Sequence, residues 1–408
     1  MLDMSPSLPR WRDLLPLLRP RPIELSPVRR ALARSHSIAD LRRESLKRVP
    51  RAVFDYVDGG ADEEISLRRN RNAFTRVEFT PSVLRGGQLD TTTTILGKPA
   101  ELPLVLAPTG FTRMMHHAGE PAVARAAADA GLPYTLSTMG TTAPDALAAE
   151  VPGADLWFQL YVWRDRGLSK DLVDLVRQAG YRVLMLTVDT PVLGNRRRDL
   201  VHGLALPPRL GLRAFLDGAM HPSWWWKLLT TEPLRFAALT GDGSVGPVEL
   251  GNTLFDPTIS WDDVDWLRSQ WSGPVVLKGI QSLADARRAA DAGVEAIALS
   301  NHGGRQLDQA PAPLELLPAV ADAVGDRLEV YVDSGVRTGA DLAAAVALGA
   351  RASLVGRAYL YGLMTGGGPG VVKAIDILRG ELTRTLRLLG VNRVADLTSE
   401  HARLRGSA

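Results

Sequence analysis

Between Leu102 and Val355, eight short apolar runs alternate with amphipathic segments, and this rhythm restricts the chain to very few architectures. The runs are Leu102–Ala107, Tyr134–Thr138, Trp157–Val162, Val183–Val188, Pro274–Lys278, Ala296–Ser300, Leu328–Val332 and Ala352–Val355. Each is too short for a helix and apolar at nearly every position, as expected of a parallel strand covered on both faces. Between them, Glu120–Ala130, Leu168–Ala179, Leu283–Ala292 and Gly339–Leu348 carry helical spacing. Eight such units predict an α/β chain folded as a closed (β/α)8 TIM barrel. A doubly wound open sheet is the rival, but it usually has fewer strands.

Flanking segments fill out the organisation. Residues 1–36 are rich in Pro and Arg and read as a basic irregular arm. The barrel domain then covers 37–400. A helical extension opens it, with Ser37 capping a helix to Arg48 on which Ile38, Leu41 and Leu46 form the apolar face. Pro50 ends or kinks that helix, and a second is expected over Ala52–Gly59. About eighty residues separate the fourth and fifth strands, and a loop of that length (about 195–260) is functional or mobile. It holds Trp224, Trp225 and Trp226, followed by Lys227, Leu228 and Leu229, near Phe215 and Leu216. Three consecutive tryptophans cannot all enter one core. They suit a membrane-surface anchor, or burial against the barrel or another subunit.

Composition removes several functions. With no cysteine, disulfides, thiolate metal sites and a Cys nucleophile are excluded. Net charge is +3, yet residues 1–50 alone hold eleven Lys and Arg against five Asp and Glu. The chain has no nucleic-acid motif and no aromatics interleaved with this basic charge, so no nucleic-acid partner is expected. The longest charge-free runs, 130–144 and 358–372, are shorter than a membrane span of about twenty residues. The N-terminus lacks a signal-peptide core, and the expected location is the cytoplasm, with a peripheral membrane position open.

In a barrel of this kind, chemistry gathers where strands run into the following loops. Those ends read Pro108-Thr109-Gly110, Ser137-Thr138, Gln159-Leu160-Tyr161, Thr187-Val188-Asp189, Lys278-Gly279, Ser300 to Arg305, Asp333-Ser334-Gly335 and Gly356-Arg357. All eight are polar or glycine, so they predict one polar pocket over an apolar core. Gly335, Arg337, Gly356 and Arg357, after the seventh and eighth strands, offer N–H groups and guanidinium forks to a phosphate. His302 and Arg305 share a glycine-rich loop. The imidazole can move a proton at neutral pH, and the guanidinium can hold a carboxylate by two bonds. Lys278 at a strand end also suits a Schiff base with a phosphorylated sugar, but Tyr161, Arg196, His302 and Arg305 would then have no part. A non-catalytic scaffold would leave these residues without a purpose altogether.

Phe54-Asp55-Tyr56, Ala107-Pro108-Thr109-Gly110, Phe158-Gln159-Leu160-Tyr161, Leu186-Thr187-Val188-Asp189-Thr190-Pro191, Lys278-Gly279 and the His302 segment occur in this order. From about residue 37 to 400 the chain thereby resembles the FMN-dependent α-hydroxy acid dehydrogenases and oxidases, and most resembles the bacterial L-lactate dehydrogenases. The resemblance implies FMN and oxidation of an L-2-hydroxy acid, with L-lactate to pyruvate the leading reaction. It implies that His302 is the base, that Asp189 stabilises the imidazolium, and that Arg196, Arg305 and Tyr56 hold the substrate carboxylate. Tyr161 would bond the reacting hydroxyl, and Lys278 would lie near flavin N1. Thr109, Ser137, Gln159, Thr187 and Ser300 would contact the flavin. Asp333, Gly335, Arg337, Gly356 and Arg357 would form the ribityl-phosphate site. A homotetramer is implied as well.

Two positions depart from the oxidase pattern. Met139 stands where glycolate oxidase has a pocket Trp, and Gly110 stands where oxidases commonly have Ala. Met139 leaves a different pocket, so glycolate is not the expected substrate, and Gly110 tilts the reading toward a dehydrogenase that passes electrons to a quinone or a separate cytochrome. An oxygen-using oxidase, a lactate monooxygenase and a mandelate-type dehydrogenase are the alternatives within the family.

Overall fold

The computed structural model describes residues 10–15, 24–202, 217–232, 234 and 256–406. Its strands, in chain order, are β1 (Val77–Phe79), β2 (Thr93–Ile95), β3 (Lys98–Ala100), β4 (Leu104–Leu106), β5 (Tyr134–Ser137), β6 (Leu156–Leu160), β7 (Val183–Thr187), β8 (Val275–Ile280), β9 (Ala296–Leu299), β10 (Glu329–Asp333), β11 (Ala352–Val355) and β12 (Ala402–Leu404). Strands β4 to β11 close into a barrel in the order β10-β11-β4-β5-β6-β7-β8-β9, every pairing parallel. These are the eight runs expected from the sequence, with small shifts at their ends.

The continuous apolarity of these strands has a direct cause. Val105, Trp157, Met185, Val276, Ala298, Tyr331 and Leu354 fill the barrel interior. Their neighbours Leu104, Phe158, Leu184, Leu277, Ile297 and Val330 join the outer core beneath the helices. With both faces buried, every strand position contributes roughly 1.5–3 kcal/mol per large apolar side chain removed from water.

One end of the barrel is plugged. The β2–β3 hairpin turns through Leu96 and Gly97, both at positive φ (46° and 77°), as a two-residue hairpin turn demands. Arg182, just before β7, donates to the Leu96 carbonyl at 2.8 Å, and Glu329, opening β10, accepts from the Leu96 N–H at 3.1 Å. Ile95 and Ala100 complete the inner core there. The open end is therefore the one where the strands finish.

The N-terminal region differs from expectation in two respects. The arm is not irregular throughout: Pro27–Arg34 is a helix. Ser26 Oγ accepts from Arg29 N, and Pro27 occupies the first turn, where a missing N–H costs nothing. The next helix is Ile38–Leu46, opened by a capping box between Ser37 and Asp40. Ile38 and Leu41 are buried, but Leu46 is 38% exposed and Ser45 takes the inward position. Positions 38, 41 and 45 follow the helical repeat, whereas 46 turns off that stripe. The second helix is Arg51–Asp58, one residue earlier than expected.

The long connection after β7 carries helices at Arg197–Val201, Pro222–Leu229 and Trp261–Gln270. Phe215 and Leu216 lie outside the described residues. The three tryptophans divide their roles. Trp224 Nε1 donates to the Met114 carbonyl at 3.0 Å, Trp225 packs over Gly218, and Trp226 is 72% exposed. Among the described residues no helix is long and apolar enough to cross a membrane.

Candidate active site

The strand ends of the barrel line one cavity of about 1050 Å³, including its open mouth. Of the residues singled out in the sequence, Tyr56, Thr109, Ser137, Gln159, Tyr161, Thr187, Arg196, Lys278, His302, Arg305, Asp333, Gly335, Arg337, Gly356 and Arg357 line it directly. Asp189 and Ser300 stand one layer behind, in contact with His302 and Lys278.

His302 follows β9 with φ +58°, a left-handed conformation that costs a non-glycine residue energy and is held by its surroundings. Its N–H donates to Ser300 Oγ at 3.0 Å, and its ring Nδ1 lies 3.0 Å from Asp189 Oδ1. A carboxylate can only accept, so Nδ1 carries the proton and Nε2 is left with its lone pair. Burial lowers the imidazole below its ordinary range, and Lys278 and Arg196 add to this, although Asp189 raises it. The ring is therefore a neutral base at neutral pH.

Asp189 reaches this position because β8 bulges between Lys278 and Ile280. Gly279 sits in the bulge at φ +112°, and a Cβ there would lie 2.7 Å from the Asp189 side chain. Only glycine satisfies both constraints.

A second buried cluster lies beside it. Ser300 Oγ donates to Asp333 Oδ2 at 2.6 Å, and Lys278 Nζ lies 3.3 Å from the same oxygen. Burial raises the Asp333 carboxyl, but Lys278 and Ser300 outweigh it and hold the group ionised. Lys278 thus stands as a fixed, compensated cation on the cavity wall.

The cationic side of the cavity is built on the end of the Arg51–Asp58 helix. Arg305 Nη1 donates to the Tyr56 carbonyl and, at 3.2 Å, to that of Gly59, with its guanidinium 5.0 Å from the Tyr56 ring centre. Burial and then Arg196 push Arg305 down to about 9, which leaves it protonated at neutral pH. Arg357 bonds the carbonyls of Val57 (2.7 Å), Gly303 (2.9 Å) and Gly59 (2.7 Å). Tyr161 is half-buried, and desolvation together with Asp189 pushes its phenol upward, so it stays a proton donor.

Four buried polar atoms of this site have no hydrogen-bond partner among the described residues: Gln159 Nε2, Thr187 Oγ1, Asp189 Oδ2 and Arg196 Nε. Buried polar atoms left open cost energy unless something bonds them, and three of these residues, Gln159, Thr187 and Arg196, line the cavity, which marks a place for a polar ligand. At Gly356 an added Cβ would sit in ordinary contact with the Thr109 and Ala107 side chains, 3.6 and 3.9 Å away.

The family model for FMN-dependent dehydrogenase matches residues 45–404. The chain belongs to this family. FMN is its cofactor, and the open amide of Gln159, the Thr187 hydroxyl, the Lys278 cation and the Gly335–Arg337 turn fit a polar ring and a phosphate tail. A Mycobacterium tuberculosis protein provisionally named L-lactate dehydrogenase is 52% identical over 400 residues, covering 97% of this chain and 95% of that one. The L-lactate dehydrogenase of Caulobacter sp. (strain K31) is 40% identical over 369 residues, 87% of this chain and 95% of the relative. Among solved structures, the monotopic membrane protein (S)-mandelate dehydrogenase superposes with a TM-score of 0.88 at 34% identity, covering 91% of this chain and all of that one. Mandelate oxidase follows the same fold with a TM-score of 0.77 at 37% identity, over 91% of this chain and 99% of that one.

Residue-by-residue reading of the sequence assigned no role to the supports around the site. Gln306 donates from Nε2 to the carbonyls of Asp189 (3.0 Å) and Val192 (2.8 Å) and accepts from Gly194 N (3.0 Å), so it shapes the loop leading to Arg196. Asp308 accepts from the N–H groups of Glu63, Ile65 and Ser66 and thereby fixes the turn after Gly60. Met115, Leu193 and Leu360 add apolar wall. Only the closeness of Gln306 and Asp308 to Arg305 could have drawn attention to them.

Proposed function

We propose that this enzyme oxidises an L-2-hydroxy acid to the 2-keto acid, with L-lactate the leading substrate. The observation that carries the reading is a neutral His302 oriented by Asp189, in the same cavity as the Arg196 and Arg305 guanidinia. The two cations hold the substrate carboxylate, with Tyr56 alongside. The Tyr161 phenol donates to the carbinol oxygen. His302 Nε2 takes one proton from the CH(OH) group, and Asp189, bonded to Nδ1, stabilises the imidazolium that results. FMN, when bound, supplies the two-electron acceptor. Lys278 would place positive charge beside the bound flavin, which gains negative charge on reduction, and the Ser300–Asp333 pair fixes that ammonium. Gly335, Arg337, Gly356 and Arg357 hold the phosphate end, Arg357 also binding the backbone of the cavity rim.

Electrons leave to a quinone or a separate cytochrome, and the protein works as a homotetramer at a membrane surface. The exposed Trp226 and Leu229 on the outer face of the Pro222–Leu229 helix, with Met220 beside them, support the membrane contact. The membrane association of the (S)-mandelate dehydrogenase agrees with it.

The decisive experiment is the anaerobic absorbance spectrum before and after L-lactate is added. Prompt bleaching of the yellow band is expected. A band that persists with L-lactate but bleaches with (S)-mandelate replaces the substrate. A band that survives both overturns the reading.

A further inference from the structure

The strap that leads from the Asp189 loop into the long connection, residues 194–202, carries Arg196 and is fastened along its length to the Arg51–Asp58 helix and the turn after it. Asn195 Nδ2 donates to Asp62 Oδ1 at 2.7 Å, and Arg197 pairs with Glu63. Both contacts are exposed, and pairs of that kind contribute little. Arg198 is different. Its Nη1 lies 3.3 Å from Asp55 Oδ1 and 3.3 Å from Asp58 Oδ2, and its Nη2 donates to Glu64. Asp55 and Asp58 are buried. One planar fork therefore joins three carboxylates, two of them buried, to the strap.

Arg198 also touches Gly59, which anchors the second cation of the cavity. Its side-chain Cδ is so close to Gly59 that a Cβ there would lie 3.1 Å away. The Gly59 carbonyl accepts from both Arg305 and Arg357. Tyr56, whose carbonyl Arg305 also binds, is one residue from Asp55 in the same helix. All three groups assigned to the substrate carboxylate, Arg196, Arg305 and Tyr56, thus hang on the junction that Arg198 closes.

We propose that Arg198 is a positioning residue for the substrate carboxylate: it locks the strap bearing Arg196 to the helix end that anchors Arg305 and Tyr56, so that the two guanidinia keep one fixed relation. This rests on the reading of Arg196 and Arg305 as the carboxylate clamp. The junction survives removal of Arg198 because each carboxylate keeps another partner. Asp55 retains Arg51 and His202, Asp58 retains Arg42 and Tyr361, and Glu64 retains the Gly60 N–H. The loss falls on alignment.

The test is steady-state kinetics of the FMN-loaded enzyme with L-lactate, with oxalate as competing dead-end ligand, in Arg198→Ala, Arg198→Lys and Arg196→Lys. Arg198→Ala should raise KM for L-lactate and Ki for oxalate together by about tenfold while kcat changes by less than about threefold. The flavin content and spectrum should stay as in the parent, Arg198→Lys should fall between, and added guanidinium ion should lower KM of the Ala variant. A general weakening of the fold would lower flavin content and would not respond to guanidinium. If the Ala variant fails to fold, Glu64→Gln replaces it, with a KM increase of about threefold expected. KM and Ki unchanged in the Arg198 and Glu64 variants, while Arg196→Lys raises both, overturns the role of Arg198 alone. Unchanged values in Arg196→Lys overturn the clamp and this inference with it.

Discussion

His302 and Asp189 meet at 3.0 Å although they follow strands β9 and β7, which are separated by β8. The contact spans β8 because Gly279 leaves no side chain beneath the Asp189 carboxylate. Asp189 is only 2% exposed and His302 20%, so the pair works with little screening by water. Asp189→Asn keeps the shape but removes the charge that stabilises the imidazolium. It should lower kcat by about 100-fold or more with a small change in KM, measured by anaerobic stopped-flow reduction with L-lactate.

The same environment sets the pH response. The base must be neutral, and burial holds His302 below its ordinary 6.5. Activity is therefore complete at neutral pH and falls only as pH drops through the lowered value. The acid limb of kcat/KM should lie below pH 6.5, and in Asp189→Asn it should move lower still, because the group that raises the imidazole is gone. A limb at or above 6.5 in the wild type contradicts the assignment.

Gly279→Ala puts a methyl group 2.7 Å from the Asp189 side chain at a φ of +112°, which no other L-residue adopts readily. It should cost about 2 kcal/mol of stability and reduce kcat more than flavin binding. Thermal unfolding, flavin content and turnover on one preparation test this together.

The tryptophans call for separate variants. Trp226→Ser with Leu229→Ser should abolish flotation with anionic liposomes and leave turnover of soluble lactate unchanged. Trp224→Ser removes a hydrogen bond to Met114 and a packed ring, and should lower stability by about 2 kcal/mol. Equal flotation of wild type and the double variant sinks the membrane assignment of this helix.

Asp58 ties the helical extension to the barrel through Arg42 (2.6 Å) and Tyr361 (2.8 Å). Burial raises its carboxyl, but these two partners prevail and bring it to about 2. A depressed carboxyl stabilises the fold fully above its unfolded value near 3.8, and that stability disappears as pH falls toward 2. The contribution at neutral pH is roughly 2 kcal/mol. Asp58→Asn should lower Tm at pH 7, and the difference from wild type should shrink below pH 4.

The architecture was legible in the sequence because a barrel strand covered on both faces must be apolar at every position, and eight such runs favour a closed barrel over an open sheet, which usually has fewer strands. The site was legible for a related reason. Polar residues at eight strand ends have to converge when the strands close into a ring, and the motifs around them matched a family whose roles are the ones proposed for Asp189, Arg196 and His302. What tertiary structure decided were relationships between segments far apart in the chain. Leu46 turned outward because Ser45 lies on the buried stripe, Trp224 docked while Trp226 stayed exposed, and part of the basic arm folded into a helix. Arg198, one basic residue among three in a row, became the joint between strap and helix only when Asp55, Asp58 and Glu64 were brought around it. Periodicity is a local property and survives in the sequence. Which charge meets which depends on how the helices and loops pack around the barrel, and no local pattern records that.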